Sequence, residues 1–375
     1  MTAGLSEVGG ITDPMETRLL LTGGTGHIGA ALLQPLLSRP DRTVVALIRA
    51  RDDEELQRRR LDMLRRAGME DHPRVLAVRG DVSEPRLGLR GDEPALQGVD
   101  SLLHSAAAVR FDQPAEKASK ANIESTLNVL DFARGLGSRL RRLDHISTCY
   151  VAGDRVGRVY EHECNLGQGF RNTYEQSKCE AETRVRAAQA EGLPVAIHRP
   201  SIVVGDSRTG KTESFNVLYW PLKLYARGWW RTLPGSTEAL MDIVPVDYVA
   251  DAIAKLSEDP ASVGGCFHIA AGDDAPTIGA LMEQVRELIG GPPLRALDQG
   301  RYRRFIRPLL WPFFLTKRGK MIKRGGEAFM PYFVANPLFD TTQARRLLGD
   351  LRPPPISQTL ERIIRYAMQE DFGGR

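Results

Sequence analysis

Short apolar runs alternate with amphipathic stretches along the first half of the chain. "RLLLTGG" (18–24) reads as a strand closed by glycines, and "HIGAALLQPLLSR" after it carries apolar residues at helical spacing. The rhythm repeats. "TVVALIR" (43–49) predicts a second strand, "DDEELQRRRLDMLRRAG" a charged helix, "RVLAVRGD" a third strand and "VDSLLHSAAA" a fourth. A helix from about Glu116 to Leu136, with Ile123, Leu127 and Leu130 on one face, leads to "LDHIST" as a fifth strand. "TYEQSKCEAETRVRAAQAEG" then reads as a helix ending at Gly192, and "PVAIHRPSIVVG" as one further strand. Such alternation predicts an α/β fold, a doubly wound parallel sheet covered on both faces. Past Gly205 the pattern loosens. "MDIVP" and "CFHIAAG" are expected to return to the main sheet, and "TIGALMEQVRELIGG" to form a capped amphipathic helix. The expected organisation is a main domain over 14–275, with 206–241 contributing to a substrate pocket, and a smaller, mainly helical region over 276–375.

Composition narrows the classes. A hydrophobic fraction of 42% is ample for a core, and 51 cations against 47 anions give no electrostatic reason to expect nucleic acid. The four cysteines are scattered, without the close pairs that zinc sites use, so no metal is expected. Residues 1–16 lack a cationic start followed by an apolar stretch, and the best apolar run, "PLLWPFFL" (308–315), is short and holds prolines. A cytoplasmic protein is expected.

Two glycine-rich loops compete as the nucleotide site. "TGGTGHIG" (22–29) lies between a predicted strand and helix, and Gly24, Gly26 and Gly29 satisfy G-x-G-x-x-G, while Gly23, Gly26 and Gly29 fall three apart. Glycines there allow a tight turn, close approach of backbone N–H groups to a pyrophosphate, and packing of helix on sheet. This is the dinucleotide-binding Rossmann pattern. At the end of the second strand, where an acidic residue would hold ribose hydroxyls, stand Arg49 and Arg51. Guanidinium groups there suit a 2′-phosphate, hence NADPH, unless they are two solvated arginines on a turn. Asp81, closing the third strand, is placed to meet the adenine, or is a turn carboxylate. The second loop, "GDSRTGKT" (205–212), has the letters of an ATP-binding P-loop but no convincing acidic partner strand for magnesium.

"STCYVAG" (147–153) ends the fifth strand with hydroxyls, and "TYEQSK" opens the next helix with Tyr174 and Lys178, four apart and on one face. Strand ends at the carboxyl side of a parallel sheet are where ligands bind. The ordered set "TGGTGHIG", "ALIRARDDEE", "GDVSEPRLGL", "LLHSAAAVRF", "KANIESTLNVL", "HISTCYVAG", "YEQSK" and "RPSIVVGDSRTG" resembles the extended short-chain dehydrogenase/reductases, and among them the fatty-acyl and thioester reductases related to male-sterility proteins. The resemblance implies a catalytic set of Thr148, Tyr174 and Lys178, with Ser147 as the neighbouring possibility for the hydroxyl, and Asn122 as the helix asparagine. It also implies cofactor contacts from Thr25, His27, Ile28, Val82, Ala106, Ala107, Pro200 and Ile202, with Lys178 on the nicotinamide ribose. His27 and Ser125 depart from the family's usual aromatic and glycine.

In such a set, Tyr174 donates a proton and Thr148 a hydrogen bond to a carbonyl oxygen as hydride arrives, and the Lys178 ammonium is expected to lower the phenol's pKa. The stretch 301–324 holds nine cations and no acid, interleaved with aromatics, which reads as a lid, as a membrane-surface contact, or as a dock for the phosphates of coenzyme A or a carrier protein. The function expected is NADPH-dependent reduction of a carbonyl on a bulky hydrophobic substrate, an acyl thioester taken to aldehyde among them. A ketone reductase or hydroxysteroid-dehydrogenase-like enzyme, and a sugar-nucleotide epimerase or dehydratase, are the alternatives.

Overall fold

The computed structural model describes residues 17–373, apart from 92, 110, 112, 216, 230, 231, 294, 298, 299, 301–303, 306, 307, 309, 310 and 334–336. The start of the expected main domain, 14–16, and Arg301, Arg303 and Arg307 of the basic stretch therefore lie outside the described residues.

Strand β1 (Thr17–Thr22) leads through the first glycine turn into two short helices, α1 (His27–Ala31) and α2 (Leu33–Leu37). The single helix expected here divides at Leu32, because Pro35 has no N–H to give to the Ala31 carbonyl. Leu32, Leu33 and Leu36 are nevertheless fully buried, at about 1.5–3 kcal/mol each, and hold the broken helix on the sheet. Strand β2 (Arg42–Ile48) is buried at every position, as a central parallel strand must be. Helix α3 (Asp53–Arg66) starts at Asp52, whose side chain accepts from the Glu55 N–H. Then come β3 (Val75–Arg79), β4 (Val99–His104), α4 (Ala115–Ser119), a π-helical turn (Lys120–Glu124) and α5 (Ser125–Leu136). Strand β5 (Arg142–Ile146), the short β6 (Gly157–Val159), helix α6 (Thr173–Ala190) and β7 (Val195–Pro200) complete the regular alternation.

The main sheet has seven strands in the order β11-β7-β5-β4-β1-β2-β3, all parallel, with β11 (Cys266–Ile269) on one edge. This is the doubly wound arrangement that the alternation predicted. Two expectations need correction. The run 194–205 is not one strand: it breaks at Ser201 into β7 and β8 (Ile202–Val204), and β8 pairs with β10 (Ile243–Pro245) in a separate parallel pair. "MDIVP" thus does not rejoin the main sheet. Beyond Thr277 the chain is mainly helical, with α9 (Ile278–Ile289) capped by Thr277, but it also returns strands to earlier segments. Arg295–Leu297 pairs with β9 (Thr232–Pro234), Pro337–Phe339 pairs with β6, and α8 (Val246–Glu258) follows β10. Among the described residues no helix is long and apolar enough to cross a membrane, and no group of three or more His, Cys, Asp or Glu side chains is placed to hold a metal ion.

Candidate active site

The first glycine turn sits at the carboxyl end of β1, in the middle of the sheet. Gly23 has φ +75°, and a Cβ there would lie 2.5 Å from the Ala106 backbone nitrogen; a Cβ on Gly29 would run into the Gly23 carbonyl. Both positions need glycine. The resulting cradle brings β1 and the segment after β4 together around Gly26, which is exposed at the start of α1. The Thr25 carbonyl accepts from Arg66 Nη1 (3.2 Å). His27 faces Val204 O through Nε2 (3.4 Å) and receives the Glu213 N–H on Nδ1 (3.5 Å); burial pushes it down to about 4, so it is neutral at physiological pH.

At the far end of β2 four arginines gather. Arg49, 71% exposed along its side chain, lies 3.8 Å from Asp81 Oδ2, and Arg51 is tied to Glu55 at 2.9 Å. Arg59 Nη1 donates to the Arg49 carbonyl (2.5 Å), and Arg79 Nη1 to that of Arg51 (3.2 Å). Sequence reasoning missed Arg59 and Arg79; Arg59 is reached only once α3 turns back over β2. Asp81 Oδ1 accepts from Ser83 N and Oγ, and the Val82 carbonyl accepts from Asn128 Nδ2 (2.9 Å).

On the other side of the glycine turn, a cavity of about 190 Å³ is lined by Gly26, Ile28, Ala107, Thr148, Tyr174 and Ile202, among others. Tyr174 reaches it from the first turn of α6, whose N-cap Asn172 accepts from the Glu175 N–H (2.9 Å). The Thr148 hydroxyl lines the same cavity and acts to lower the phenol's pKa. Thr148 also donates to the Pro200 carbonyl (3.3 Å) and accepts from the Tyr150 N–H (3.2 Å), which fixes its rotamer. Ser147 is different: its hydroxyl donates to Glu182 (2.7 Å) in the interior. Of the two hydroxyls considered, Thr148 is the one that acts on Tyr174, while that of Ser147 is spent on Glu182.

Lys178, fully enclosed one helical turn on, donates to the Ile146 carbonyl (2.8 Å). Burial draws its ammonium down to about 8, with the Glu182 carboxylate opposing, while desolvation pushes Tyr174 up to about 12 despite Thr148. The expected lowering of the phenol by Lys178 is thus not seen: burial raises it, and the group that acts to lower it is Thr148. His104 and His145, the neighbouring imidazoles, are both pushed well below their ordinary range by burial.

Asn122 lies on the π-helical turn, a local widening often found at functional sites. The Ser125 and Thr126 hydroxyls each donate to a carbonyl of that turn, those of Ala121 and Asn122 (2.6 Å each). Asn122 itself receives the Ala108 N–H on Oδ1 (2.8 Å) and donates to Ser177 Oγ (2.9 Å), tying the segment after β4 to α6. An aromatic wall, not foreseen from the sequence, encloses Tyr174. Phe111 packs edge-on to it at 5.6 Å and tilted against Tyr332 at 5.4 Å, and Tyr332 meets Tyr150 at 5.0 Å. Only the fold brings residue 332 to residue 111. Beside it, a cavity of about 50 Å³ is lined by apolar side chains including Leu218, Leu222, Met241, Leu281, Val285 and Phe333.

The P-loop letters at 205–212 do not form a phosphate cradle. Every backbone N–H from Gly205 to Lys211 already donates within the protein, to Tyr219 Oη, Lys211 O, the Asp247 and Asp206 carboxylates, Asp206 O and Thr209 Oγ1. The next described helix in the chain, α7 (Tyr219–Ala226), does not begin until Tyr219, so the loop does not run into a helix N-terminus as a P-loop does.

A family model described as male sterility protein, an NAD-binding domain, matches residues 21–253. The chain is 30% identical over 279 residues to a nonribosomal peptide synthetase, asaC, of Aspergillus flavus, covering 68% of this chain and 26% of that one. It is 27% identical over 280 residues to the fatty acyl-CoA reductase wat of Drosophila melanogaster, covering 64% and 54%. It thus spans about a quarter of the fungal synthetases it matches. Among solved structures, the terminal R domain of the myxalamid PKS-NRPS biosynthetic pathway superposes with a TM-score of 0.81 at 27% identity, covering 96% of this chain and 92% of that one. With its glycine cradle on β1 and its parallel sheet, this chain belongs to the male sterility protein family of NAD-binding domains.

Proposed function

We propose that the chain is an NADPH-dependent reductase of acyl thioesters, taking a bulky hydrophobic acyl group, carried on coenzyme A or on a carrier protein's phosphopantetheine, to the aldehyde and free thiol. The observation that carries this reading is the meeting of the Tyr174 phenol and the Thr148 hydroxyl in one cavity with the glycine turn. The tight turn at Gly23 and Gly29, where a Cβ would strike the backbone, leaves Gly26 exposed and fits a dinucleotide; Gly26, His27 and Ile28 would flank the pyrophosphate, and Arg49, framed by Arg59 and Arg79, would meet the 2′-phosphate. When bound, NADPH supplies the hydride.

The chain's own residues do the rest. Thr148, held by the Tyr150 N–H, turns its one O–H from the Pro200 carbonyl to the substrate's carbonyl oxygen, and Tyr174 gives that oxygen its proton as negative charge builds. A phenol near 12 holds its proton at neutral pH yet yields it to an alkoxide, which is more basic. The Lys178 ammonium stabilises that charge, and Asn122 holds α6 against the segment after β4. The hemithioacetal that results expels thiol, leaving aldehyde. Phe111, Tyr332 and the apolar lining beside them support an apolar acyl group. The exposed Phe305, Trp311 and Leu315 support a contact surface in the basic stretch.

The test is loss of NADPH absorbance with long-chain acyl-CoA, with an acyl-phosphopantetheine, with long-chain ketones and with nucleotide sugars. Thioester turnover with stoichiometric thiol release is expected. Turnover of ketones or sugars alone would refute the proposal.

A further inference from the structure

Two of the four cysteines meet behind the active-site helix. Cys164, partly exposed on the loop 160–172 between β6 and α6, has its Sγ 4.0 Å from that of Cys179, the residue after Lys178. Gln168 spans the same spot, donating to the Cys164 carbonyl (2.9 Å), the Val151 carbonyl (2.7 Å) and Cys179 Sγ (3.9 Å). Cys149 and Cys266 are buried elsewhere, Cys149 Sγ donating to the Arg199 carbonyl (2.9 Å).

We propose that Cys164 and Cys179 form a reversible thiol–disulfide site, closed by a peroxide and opened by a dithiol, and that closing it slows the reductase. The activity part of this inference rests on the function proposed above; the chemical part does not. The hydrogen bond with Cys179 lowers the Cys164 thiol below its ordinary pKa, and the nearby Arg199 and Arg186 guanidinium groups act in the same sense, so the more accessible sulfur is also the better nucleophile. Its thiolate attacks one peroxide oxygen, the O–O bond breaks, and the other oxygen leaves as hydroxide that takes up the proton the thiol released and becomes water, giving a sulfenic acid on Cys164. The Cys179 sulfur then attacks the Cys164 sulfur, the S–O bond breaks, and a second water leaves as the S–S bond forms. Two thiols lose two hydrogens, and one peroxide becomes two waters.

The link to the active site is geometric. Closing a 4.0 Å separation to a bond of about 2 Å requires movement, and α6 is fixed along the face formed by Ser177, Lys178, Ala181, Glu182 and Val185. The loop, exposed at Asn165, Leu166 and Gly167, is the part that can give. It carries the Glu161 and Glu163 carbonyls to which Arg199 donates (3.4 and 2.6 Å). Arg199 in turn holds Glu182, and Glu182 holds Ser147, the neighbour of Thr148.

The experiment treats the full chain with hydrogen peroxide, blocks free thiols by alkylation, and digests it with trypsin without reduction. The two cysteines fall in separate tryptic peptides, 159–171 and 179–184. A cross-linked pair of these, lighter by two hydrogens and released by dithiothreitol, is expected, with turnover falling on the order of 2- to 30-fold and returning on reduction. Cys164→Ser and Cys164→Ala should keep basal turnover and lose the response to peroxide. Peptides that stay separate, or a cross-link that uses Cys149 or Cys266 instead, would overturn the site. A cross-link without change in turnover, or slowing that persists in both Cys164 variants, would overturn the regulatory part. A cross-link in a chain that reduces none of the substrates tried would leave the site standing and sink the reductase.

Discussion

Glu182 offers the sharpest test of how the site is held. Its carboxylate and the Arg199 guanidinium are both fully buried, bonded Nε to Oε2 at 2.9 Å and Nη2 to Oε1 at 2.5 Å, and Arg186 Nε (2.8 Å) and Ser147 Oγ (2.7 Å) donate to the same two oxygens. Burial alone would raise this carboxyl, but the charge and hydrogen bonds of Arg199, with help from Arg186 and Ser147, hold it far below the usual range. A depressed acid contributes stability that is complete above its unfolded pKa, about 4.3, and is lost only as pH falls through the folded value, so the whole contribution is present at pH 7.

Glu182→Gln keeps the shape but leaves Arg199 without its counter-ion and sets an amide N–H₂ against donors. Breaking a buried pair in this way costs about 3–5 kcal/mol. With an unfolding entropy of about 2.1 cal/mol/K per residue, a chain of 375 residues loses about 1 °C or slightly more per kcal/mol, so Tm should fall by about 4–6 °C. The double variant Glu182→Leu/Arg199→Met removes both charges and should recover most of the loss. Calorimetric melts at pH 7 of Glu182→Leu, Arg199→Met and their combination close the cycle, with Glu182→Gln measured beside them. A loss below about 1 kcal/mol for Glu182→Gln, or a double variant as damaged as the sum of the singles, would refute the reasoning.

Other consequences follow from the same geometry. Lys178 titrates near 8 while Tyr174 stays protonated to about 12 and His104 and His145 are neutral, so kcat for reduction should fall as pH rises through about 8. Lys178→Arg, which keeps its charge, should remove that alkaline limb if it is active; an unchanged limb would assign it elsewhere. Arg49→Ala should weaken NADPH about tenfold and NADH hardly at all, the modest size reflecting the exposure of Arg49, and equal losses in equilibrium binding would contradict the 2′-phosphate role. Gly23→Ala forces a Cβ toward the Ala106 nitrogen at a φ of +75°, costing about 1–2 kcal/mol in backbone strain alone, and should raise the NADPH dissociation constant at least tenfold. A variant binding normally would show that the cradle is not the nucleotide site.

The sheet was legible because its signal is local: each βα unit announces itself by an apolar run followed by a polar or amphipathic helical stretch. The glycine turn and the Tyr174–Lys178 spacing were legible for the same reason, since both are short-range patterns on one element. What escaped depended on contacts distant in sequence. The split of 194–205 is decided by the partners of β8 and not by its composition, which is uniformly apolar. The aromatic wall joins Phe111, Tyr150 and Tyr332 from three segments. The P-loop letters at Gly205 already lacked an acidic partner strand in the sequence, and the structure adds that the loop's N–H groups are taken. The electrostatics of Tyr174 were misread because opposite charge is visible in a sequence, whereas dehydration is not.

The most direct measurement is single-turnover oxidation of NADPH by an acyl-CoA thioester in the parent chain and in Tyr174→Phe, with NADPH affinity measured in parallel by fluorescence. The phenol's proton should be indispensable: the variant is expected to lose about 10²–10⁴ in rate while binding the cofactor as before. A Tyr174→Phe variant that reduces the thioester at the parent rate would contradict the account at its centre.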